Sequence, residues 1–169
     1  RPPDHVAVIL DGNRRWAKSR MLLPWNGHER AMDNFRTLTE WCRNDPRISV
    51  LTIWGFSTEN WKRSEEEVSK LMDLFESYLQ RERSVFLERG TRFVHSGRAD
   101  RIPASLAKLI ADVTEETKDC TEFTMHLAVD YGGKDEVVRA MRKLADPAEV
   151  TEEQIRAHLD HPELPDIDL

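Results

Sequence analysis

A run of apolar residues that ends in Asp-Gly-Asn-Arg-Arg constrains this chain more than any other feature. Residues 6–10 are all apolar, a pattern typical of a strand covered on both faces of a parallel sheet. Asp11 therefore follows the carboxyl end of a strand, which is where open α/β sheets bind their ligands. Gly12 allows a ligand to approach the backbone, and Arg14 and Arg15 are donors suited to phosphate oxygens.

The acidic residue beside these arginines predicts a divalent cation. Asp11 repels a phosphate group unless a cation lies between them, and Mg²⁺ is commonly held by one carboxylate together with substrate phosphates. The alternative is a solvated turn in which Asp11 caps the next helix, and the spacing alone does not decide between the two.

Composition limits the class of protein. A chain of 169 residues suits one domain spanning residues 1–169, and a formal charge of -6 gives no reason to expect a nucleic-acid partner. Cys42 and Cys120 lack the spacing of a redox or zinc motif, which predicts reduced thiols and a cytoplasmic protein. No apolar run is long enough to span a bilayer.

Candidate strands and helices alternate along the chain. Apolar periodicity predicts them at 6–10, 27–44, 49–56, 64–88, 92–95, from 103, at 123–129 and at 133–144. This alternation predicts an α/β fold with a central, mostly parallel sheet flanked by helices. Residues 19–26 lack periodicity and are predicted to form a mobile lid, whereas Ser64 with Glu67 and Thr151 with Gln154 are predicted capping boxes.

The second predicted strand also delivers polar residues from its carboxyl end. Ser57 and Asn60 can form hydrogen bonds, and Arg63 can bind a second phosphate group. His28 places another donor near a helix start. Two strand ends therefore carry candidate ligands.

In chain order, these motifs resemble those of the cis-prenyltransferases, the undecaprenyl diphosphate synthase family. The motifs are Asp11-Gly-Asn-Arg-Arg-Trp16, Gly27-His28, Ser57-Thr-Glu-Asn-Trp-Lys-Arg63 and Tyr131-Gly-Gly133. The resemblance implies an Mg²⁺-dependent transferase of isoprenoid biosynthesis, which condenses isopentenyl diphosphate with an allylic diphosphate to give a cis polyprenyl diphosphate. It also implies a cytoplasmic homodimer with an apolar tunnel for the growing chain and peripheral membrane contact through its lipid product.

The resemblance assigns roles by position. Asp11 would act with Mg²⁺ on the departing diphosphate, and Asn60 would lie near the proton that leaves. The implied substrate-binding residues are Gly12, Asn13, Arg14, Arg15, Trp16, His28, Ser57, Thr58, Glu59, Trp61 and Arg63. The apolar stripe of the helix at 64–88 and the strand at 123–129 could line the tunnel, although such stripes usually form core. Gly55 leaves space, as in members that make longer products.

Three departures keep other functions open. Pro24 stands where an arginine is usual, Asp130 stands where asparagine is usual, and the family's last arginine-containing motif is expected beyond Leu169 or from a partner. The first departure leaves open an irregular, lavandulyl-type head-to-middle coupling of allylic diphosphates. The third leaves open a non-catalytic partner subunit. A phosphohydrolase with Asp11 as nucleophile is disfavoured, because Asn13 replaces its second aspartate.

Overall fold

A four-stranded parallel sheet organises the chain in this computed structural model, which describes residues 2–144 and 150–169. The strand order is β1-β2-β4-β3, and every neighbouring pair is parallel. The strands are β1 (His5–Ile9), β2 (Val50–Ser57), β3 (Thr91–Ser96) and β4 (Phe123–Tyr131). The predicted α/β class with a parallel sheet is confirmed.

Helices connect the strands. They are α1 (Asn13–Ser19), α2 (Pro24–Asn44), α3 (Glu65–Glu88), α4 (Ala104–Glu116), α5 (Gly133–Met141) and α6 (Glu152–Ala157), with a 3₁₀ turn at Thr58–Lys62. Pro24 occupies the first turn of α2, where its fixed φ favours a helix and its missing N–H costs nothing. The predicted lid over 19–26 is therefore too long, since α2 begins three residues earlier than predicted.

The main core lies on the sheet face covered by α2, α3 and α4. Side chains from β2, β3 and β4, among them Ile53, Phe93 and Met125, point to this face and are buried. The predicted stripe of α3 is buried there as well, at Leu71, Met72, Phe75 and Leu79. Burying each large apolar side chain contributes roughly 1.5–3 kcal/mol, so this layer fixes α2 and α3 beside the strand ends.

Two predicted apolar elements carry exposed residues. Ile9 lies on β1, an edge of the described sheet, so the prediction of burial on both faces is wrong there. Helix α5 ends at Met141, before residue 144, and its apolar residues Val137, Val138 and Met141 are exposed. The pattern correctly marks an apolar face in both cases, but it does not say whether another element covers that face.

The opposite sheet face carries a chain of polar contacts. The Nδ1–H of His5 donates to the Pro165 carbonyl at 2.8 Å, and its Nε2 accepts from the Thr52 hydroxyl at 2.6 Å. Thr52 in turn accepts from His126 Nδ1 at 2.8 Å, and His126 Nε2 accepts from the Ser96 hydroxyl at 2.8 Å. Burial lowers the pKa of His126 to about 3, so this chain depends on a neutral imidazole.

The end of the chain lies along β1. The amide of Ala7 donates to the carbonyl of Leu169 at 2.7 Å, and the amide of Asp168 donates to the carbonyl of His5 at 3.0 Å. Among the described helices, none is both long enough and apolar enough to cross a bilayer.

Candidate active site

A cavity of about 250 Å³ opens at the carboxyl ends of β1 and β2. Its polar lining consists of Asp11, Gly12, Asn13, Arg14, Arg15, His28, Ser57, Asn60 and Arg63. Its apolar lining includes Ala31 and Met32 from α2, Trp54 and Phe56 from β2, and Leu71 and Phe75 from α3. The structure thus brings both polar motifs together next to an apolar floor. The helix at 64–88 contributes to that floor, whereas β4 does not.

The turn after β1 presents the carboxylate to solvent. Gly12 has φ 87°, a left-handed conformation that favours glycine, and its N–H donates to Asp11 Oδ1 at 2.5 Å. Arg15 Nη2 donates to Asp11 Oδ2 at 3.1 Å, and the two side chains are 81% and 80% exposed. Asp11 and Arg15 are therefore accessible to an incoming ligand.

Helix α2 packs closely against this turn. A Cβ atom on Gly27 would lie 2.1 Å from the carbonyl oxygen of Asn13, so only glycine fits. This close approach brings His28, the next residue, to the cavity lining. Packing thus explains the glycine at position 27, and a place in the cavity lining explains the histidine at position 28.

Glu67 joins three basic side chains of the site. Its carboxylate is 4% exposed, and Oε1 accepts from His28 Nε2 and from Arg63 Nη1, each at 3.1 Å. Arg14 Nε lies 3.6 Å from the same oxygen. Because these partners come from α1, from α2 and from the end of the 3₁₀ turn, one buried charge connects three segments. Sequence reasoning assigned Glu67 only to a capping box and missed this role.

The capping interaction itself is only half as predicted. Ser64 Oγ accepts from the amide of Glu67 at 3.3 Å, but the Glu67 carboxylate is directed to the basic cluster instead. Burial lowers the pKa of His28, and this effect outweighs the opposing hydrogen bond from Glu67. A neutral His28 donates its Nε2–H to Glu67. The positive charges of Arg14 and Arg63 then exceed the single negative charge of Glu67, which leaves the cluster suited to anions.

The 3₁₀ turn after β2 fixes Asn60. The Ser57 amide donates to Asn60 Oδ1 at 3.1 Å, and the Arg63 amide donates to the Asn60 carbonyl at 3.0 Å. These bonds hold Asn60 at the cavity. Glu59, in the same turn, lies outside the cavity lining and is exposed. Thr58 is also outside the lining and packs against Gly132. A Cβ atom added to Gly132 would lie 2.8 Å from Thr58 Oγ1.

The two predicted tryptophans also lie outside the cavity lining. Trp61 packs edge-on against Phe56 at 5.1 Å between ring centroids, and its Nε1–H donates to Asp130 Oδ1 at 2.9 Å. The guanidinium of Arg20 lies over the Trp16 ring, 5.0 Å from the ring centroid. The structure therefore gives Trp61 a place in the wall behind Phe56 rather than on the cavity surface.

Asp130, which stands where the resemblance implies asparagine, carries a paired charge. It is fully buried at φ 52°, and Arg101 Nε donates to its Oδ2 at 2.7 Å. The same carboxylate accepts the Trp61 bond, so the exchange adds an ion pair without removing support for Trp61. No local pattern in the sequence connects residue 101 with residue 130.

A second, more open cavity of about 650 Å³ adjoins the first. The two cavities share Asp11, Arg14, Arg15 and Arg63, and the second is completed by Lys18, Met21, Leu22 and Pro24. Pro24 contributes no cation, so the substitution of the usual arginine makes this side of the site more apolar.

The donor set fits one magnesium ion bound jointly with a substrate. Within residues 2–144 and 150–169, no cluster of three or more His, Cys, Asp or Glu side chains could hold a metal by itself. Asp11 supplies an exposed carboxylate beside several phosphate donors. Mg²⁺ is usually bound through one or two carboxylates together with phosphates and water, so the residues present fit it.

Comparisons with known proteins show the family of this chain. The family described as putative undecaprenyl diphosphate synthase matches residues 9–169. The isoprenyl transferase of Wolinella succinogenes is 40% identical over 166 residues, which cover 98% of this chain and 72% of that protein.

Two crystal structures share the fold. Lavandulyl diphosphate synthase from Lavandula x intermedia, in complex with dimethylallyl diphosphate, superposes with a TM-score of 0.87 at 31% identity, covering 96% of this chain and 72% of that one. A probable undecaprenyl diphosphate synthase from Campylobacter jejuni superposes with a TM-score of 0.77 at 31% identity, covering 98% of this chain and 72% of that one. The chain belongs to the undecaprenyl diphosphate synthase family of prenyltransferases, which confirms the resemblance drawn from its motifs.

Proposed function

We propose that this prenyltransferase condenses isopentenyl diphosphate with an allylic diphosphate and releases diphosphate. One observation carries the proposal: the cavity at the ends of β1 and β2 combines phosphate donors with an apolar floor. A diphosphate bearing a hydrocarbon chain needs both. Two joined cavities that share Arg14, Arg15 and Arg63 leave room for a second diphosphate.

The proposed chemistry separates charge. The allylic C–O bond breaks, the alkene of isopentenyl diphosphate forms the new C–C bond, and a proton is lost to give the new double bond. Negative charge grows on the departing diphosphate, where Arg14 and Arg15 are placed to stabilise it. Glu67 holds His28 and Arg63 in place, and the Ser57 amide fixes Asn60 at the same cavity. Holding both substrates in one cleft lowers the entropic barrier to reaction.

The residues implied by the resemblance divide into two groups. We assign Asp11, Gly12, Asn13, Arg14, Arg15 and His28 to the allylic diphosphate, and Ser57, Asn60 and Arg63 to the isopentenyl side. Trp16, Thr58, Glu59 and Trp61 lie outside the lining, and Trp61 supports it by packing against Phe56. Asp11 would hold Mg²⁺, which when bound neutralises charge on a diphosphate.

Assembly and location form part of the proposal. The exposed apolar residues of α5, Val137, Val138 and Met141, support a homodimer. Cys42 and Cys120 are unpaired, which supports a reducing, cytoplasmic location. The polyprenyl product is a lipid, so we propose peripheral contact with a membrane where that product is delivered.

Two observations favour a second candidate. The structural likeness to the lavandulyl diphosphate synthase is high, and Pro24 adds an apolar residue to the second cavity where the resemblance implies an arginine. Irregular coupling of two allylic diphosphates is therefore the alternative.

The two candidates differ in the substrates they require. The protein is incubated with Mg²⁺ and either dimethylallyl, geranyl or farnesyl diphosphate, with and without isopentenyl diphosphate, and products are sized by mass spectrometry. We expect products longer by five-carbon steps only when isopentenyl diphosphate is present. A product from dimethylallyl diphosphate alone would replace the first candidate with the second, and no product under any condition would contradict both.

A further inference from the structure

Three consecutive apolar residues project from the connection between α1 and α2. Met21 is 96% exposed, Leu22 44% and Leu23 54%. We call these residues the apolar tip. Single exposed apolar residues are common on protein surfaces, but three in a row on one turn form a patch that this chain leaves largely uncovered.

The backbone of the tip costs folding energy. Arg20 ends α1, the Met21 amide donates to the Lys18 carbonyl at 3.1 Å, and the Leu22 amide donates to the Ala17 carbonyl at 2.9 Å. This is the Schellman arrangement, in which the residue after the cap takes a left-handed conformation and is usually glycine. Met21 holds that position at φ 57°. A strained, exposed methionine does not stabilise the fold, so its side chain is expected to act on something outside the chain.

The segment that carries the tip is basic, and the acidic residue that lines the same open cavity, Asp11, is paired with Arg15. Residues 12–28 contain Arg14, Arg15, Lys18 and Arg20 and no acidic residue, within a chain whose formal charge is -6. All four basic side chains are exposed, and Arg20 lies over the ring of Trp16. An apolar tip beside cations and an interfacial tryptophan is the composition of segments that rest in the headgroup region of an anionic bilayer.

We propose that the apolar tip and its basic surround dock this protein on the surface of an anionic lipid bilayer. The tip inserts among the headgroups, and Lys18 and Arg20 contact lipid phosphates. Met21 and Leu22 also line the open cavity that contains Arg14 and Arg15, so docking places the mouth of the site at the membrane surface. This inference deepens the membrane contact proposed above by naming its surface. Because the test below measures vesicle binding and not turnover, the docking inference and the proposed prenyltransferase function can fail separately.

The test is co-sedimentation of the full chain with vesicles. One set contains phosphatidylcholine with phosphatidylglycerol, and the other contains phosphatidylcholine alone. We expect binding to the anionic set that weakens with added salt. Replacing the tip by M21S/L22S/L23S is expected to reduce the partition coefficient by at least about tenfold. K18Q/R20Q is expected to reduce it by about 30-fold, because each cation near such a surface contributes about a fivefold factor.

Trp41 provides the matched control. It is 70% exposed on α2 but lies outside residues 12–28, so W41S removes a larger apolar side chain without touching the tip, and binding is expected to stay within about twofold. Met21→Gly removes the backbone strain and the apolar side chain together, and the two effects are read out by different measurements. It is expected to raise the unfolding temperature by about 2–4 °C while weakening vesicle binding.

Several results would overturn the proposal. They are equal binding to both vesicle sets, retained binding by the serine variant, or an equal loss in W41S. If the serine variant instead keeps vesicle binding and raises only the KM for a short allylic diphosphate, the tip covers the substrate and not a membrane. Failure of Met21→Gly to stabilise the chain would remove the strain argument.

Discussion

Replacing Glu67 by glutamine tests whether one buried carboxylate positions the basic side chains of the site. The glutamine side chain keeps the shape and an acceptor oxygen, but it removes the charge that His28, Arg63 and Arg14 share at 3.1, 3.1 and 3.6 Å. The expected result is loss of both stability and catalytic efficiency. Glu67 is treated as a positioning residue, since it acts through the side chains that face the cavity.

The magnitude follows from exposure. Removing one partner of a fully buried ion pair costs about 3–5 kcal/mol. Here the side chains of Arg63 and Arg14 are 24% and 58% exposed, so water can compensate part of the loss. We therefore expect unfolding free energy to fall by about 2 kcal/mol. Misplaced cations near reacting groups cost about 10–100-fold in kcat/KM, and we expect that loss here, with a rise in KM for isopentenyl diphosphate.

Glu82 is a matched control on the same helix. It is also buried, and its Oε1 forms an ion pair with Arg36 Nε at 3.0 Å, away from the cavity lining. Glu82→Gln is expected to lower stability by a similar amount while kcat/KM per folded molecule stays within about twofold. Denaturant unfolding and steady-state kinetics are measured on both variants. If Glu67→Gln loses stability but keeps wild-type kinetics, the positioning role is wrong and Glu67 is merely structural.

Four further outcomes are expected. Asp11→Asn should reduce turnover by at least about 100-fold and change unfolding free energy by less than about 0.5 kcal/mol, because its side chain is 80% exposed; product formation and denaturant unfolding check both. Arg63→Ala should raise KM for isopentenyl diphosphate about tenfold more than KM for the allylic diphosphate, and equal increases would contradict the two-pocket assignment. In Gly55→Ala the new Cβ would lie 2.8 Å from Phe75 Cε1, so product chains sized by mass spectrometry should become shorter. Burial lowers the pKa of His126 to about 3, against 6.5 when unfolded, so the contribution of this group to stability is complete above pH 6.5 and is lost at about 1.4 kcal/mol per pH unit towards pH 3; urea unfolding at pH 7 and pH 5 should show a loss of stability, and His126→Asn should make that loss smaller.

The parts of the site that follow strand ends were predictable from sequence. Asp11 comes after β1 and Ser57 ends β2, and parallel neighbours in a sheet bring such ends to one edge. Burial of the α3 stripe was also predictable, because helical periodicity marks its apolar face. These features depend on local pattern and on the general geometry of α/β sheets.

Contacts between distant charged residues were not predictable in the same way. Asp130 and Arg101 are 29 residues apart, and neither lies in a pattern that names the other. The exposed face of α5 shows the complementary problem, since periodicity predicts a helix there but does not show that Val137 and Val138 are exposed. Periodicity identifies which face of a helix is apolar, but the partner of that face is set by topology.

Burial explains why the two carboxylates of the site have opposite roles. Asp11 is exposed and shares its charge with one exposed arginine, so an ion or a diphosphate can reach it and compete for its oxygens. Glu67 is 3% exposed and already holds His28 and Arg63, so it has no room for a substrate and instead fixes where those donors point. The capping pattern predicted only a local role for Glu67. The helix start needs only the Ser64 oxygen, so the Glu67 carboxylate is available to the site. The same sequence position therefore serves helix α3 through its backbone amide and the site through its side chain.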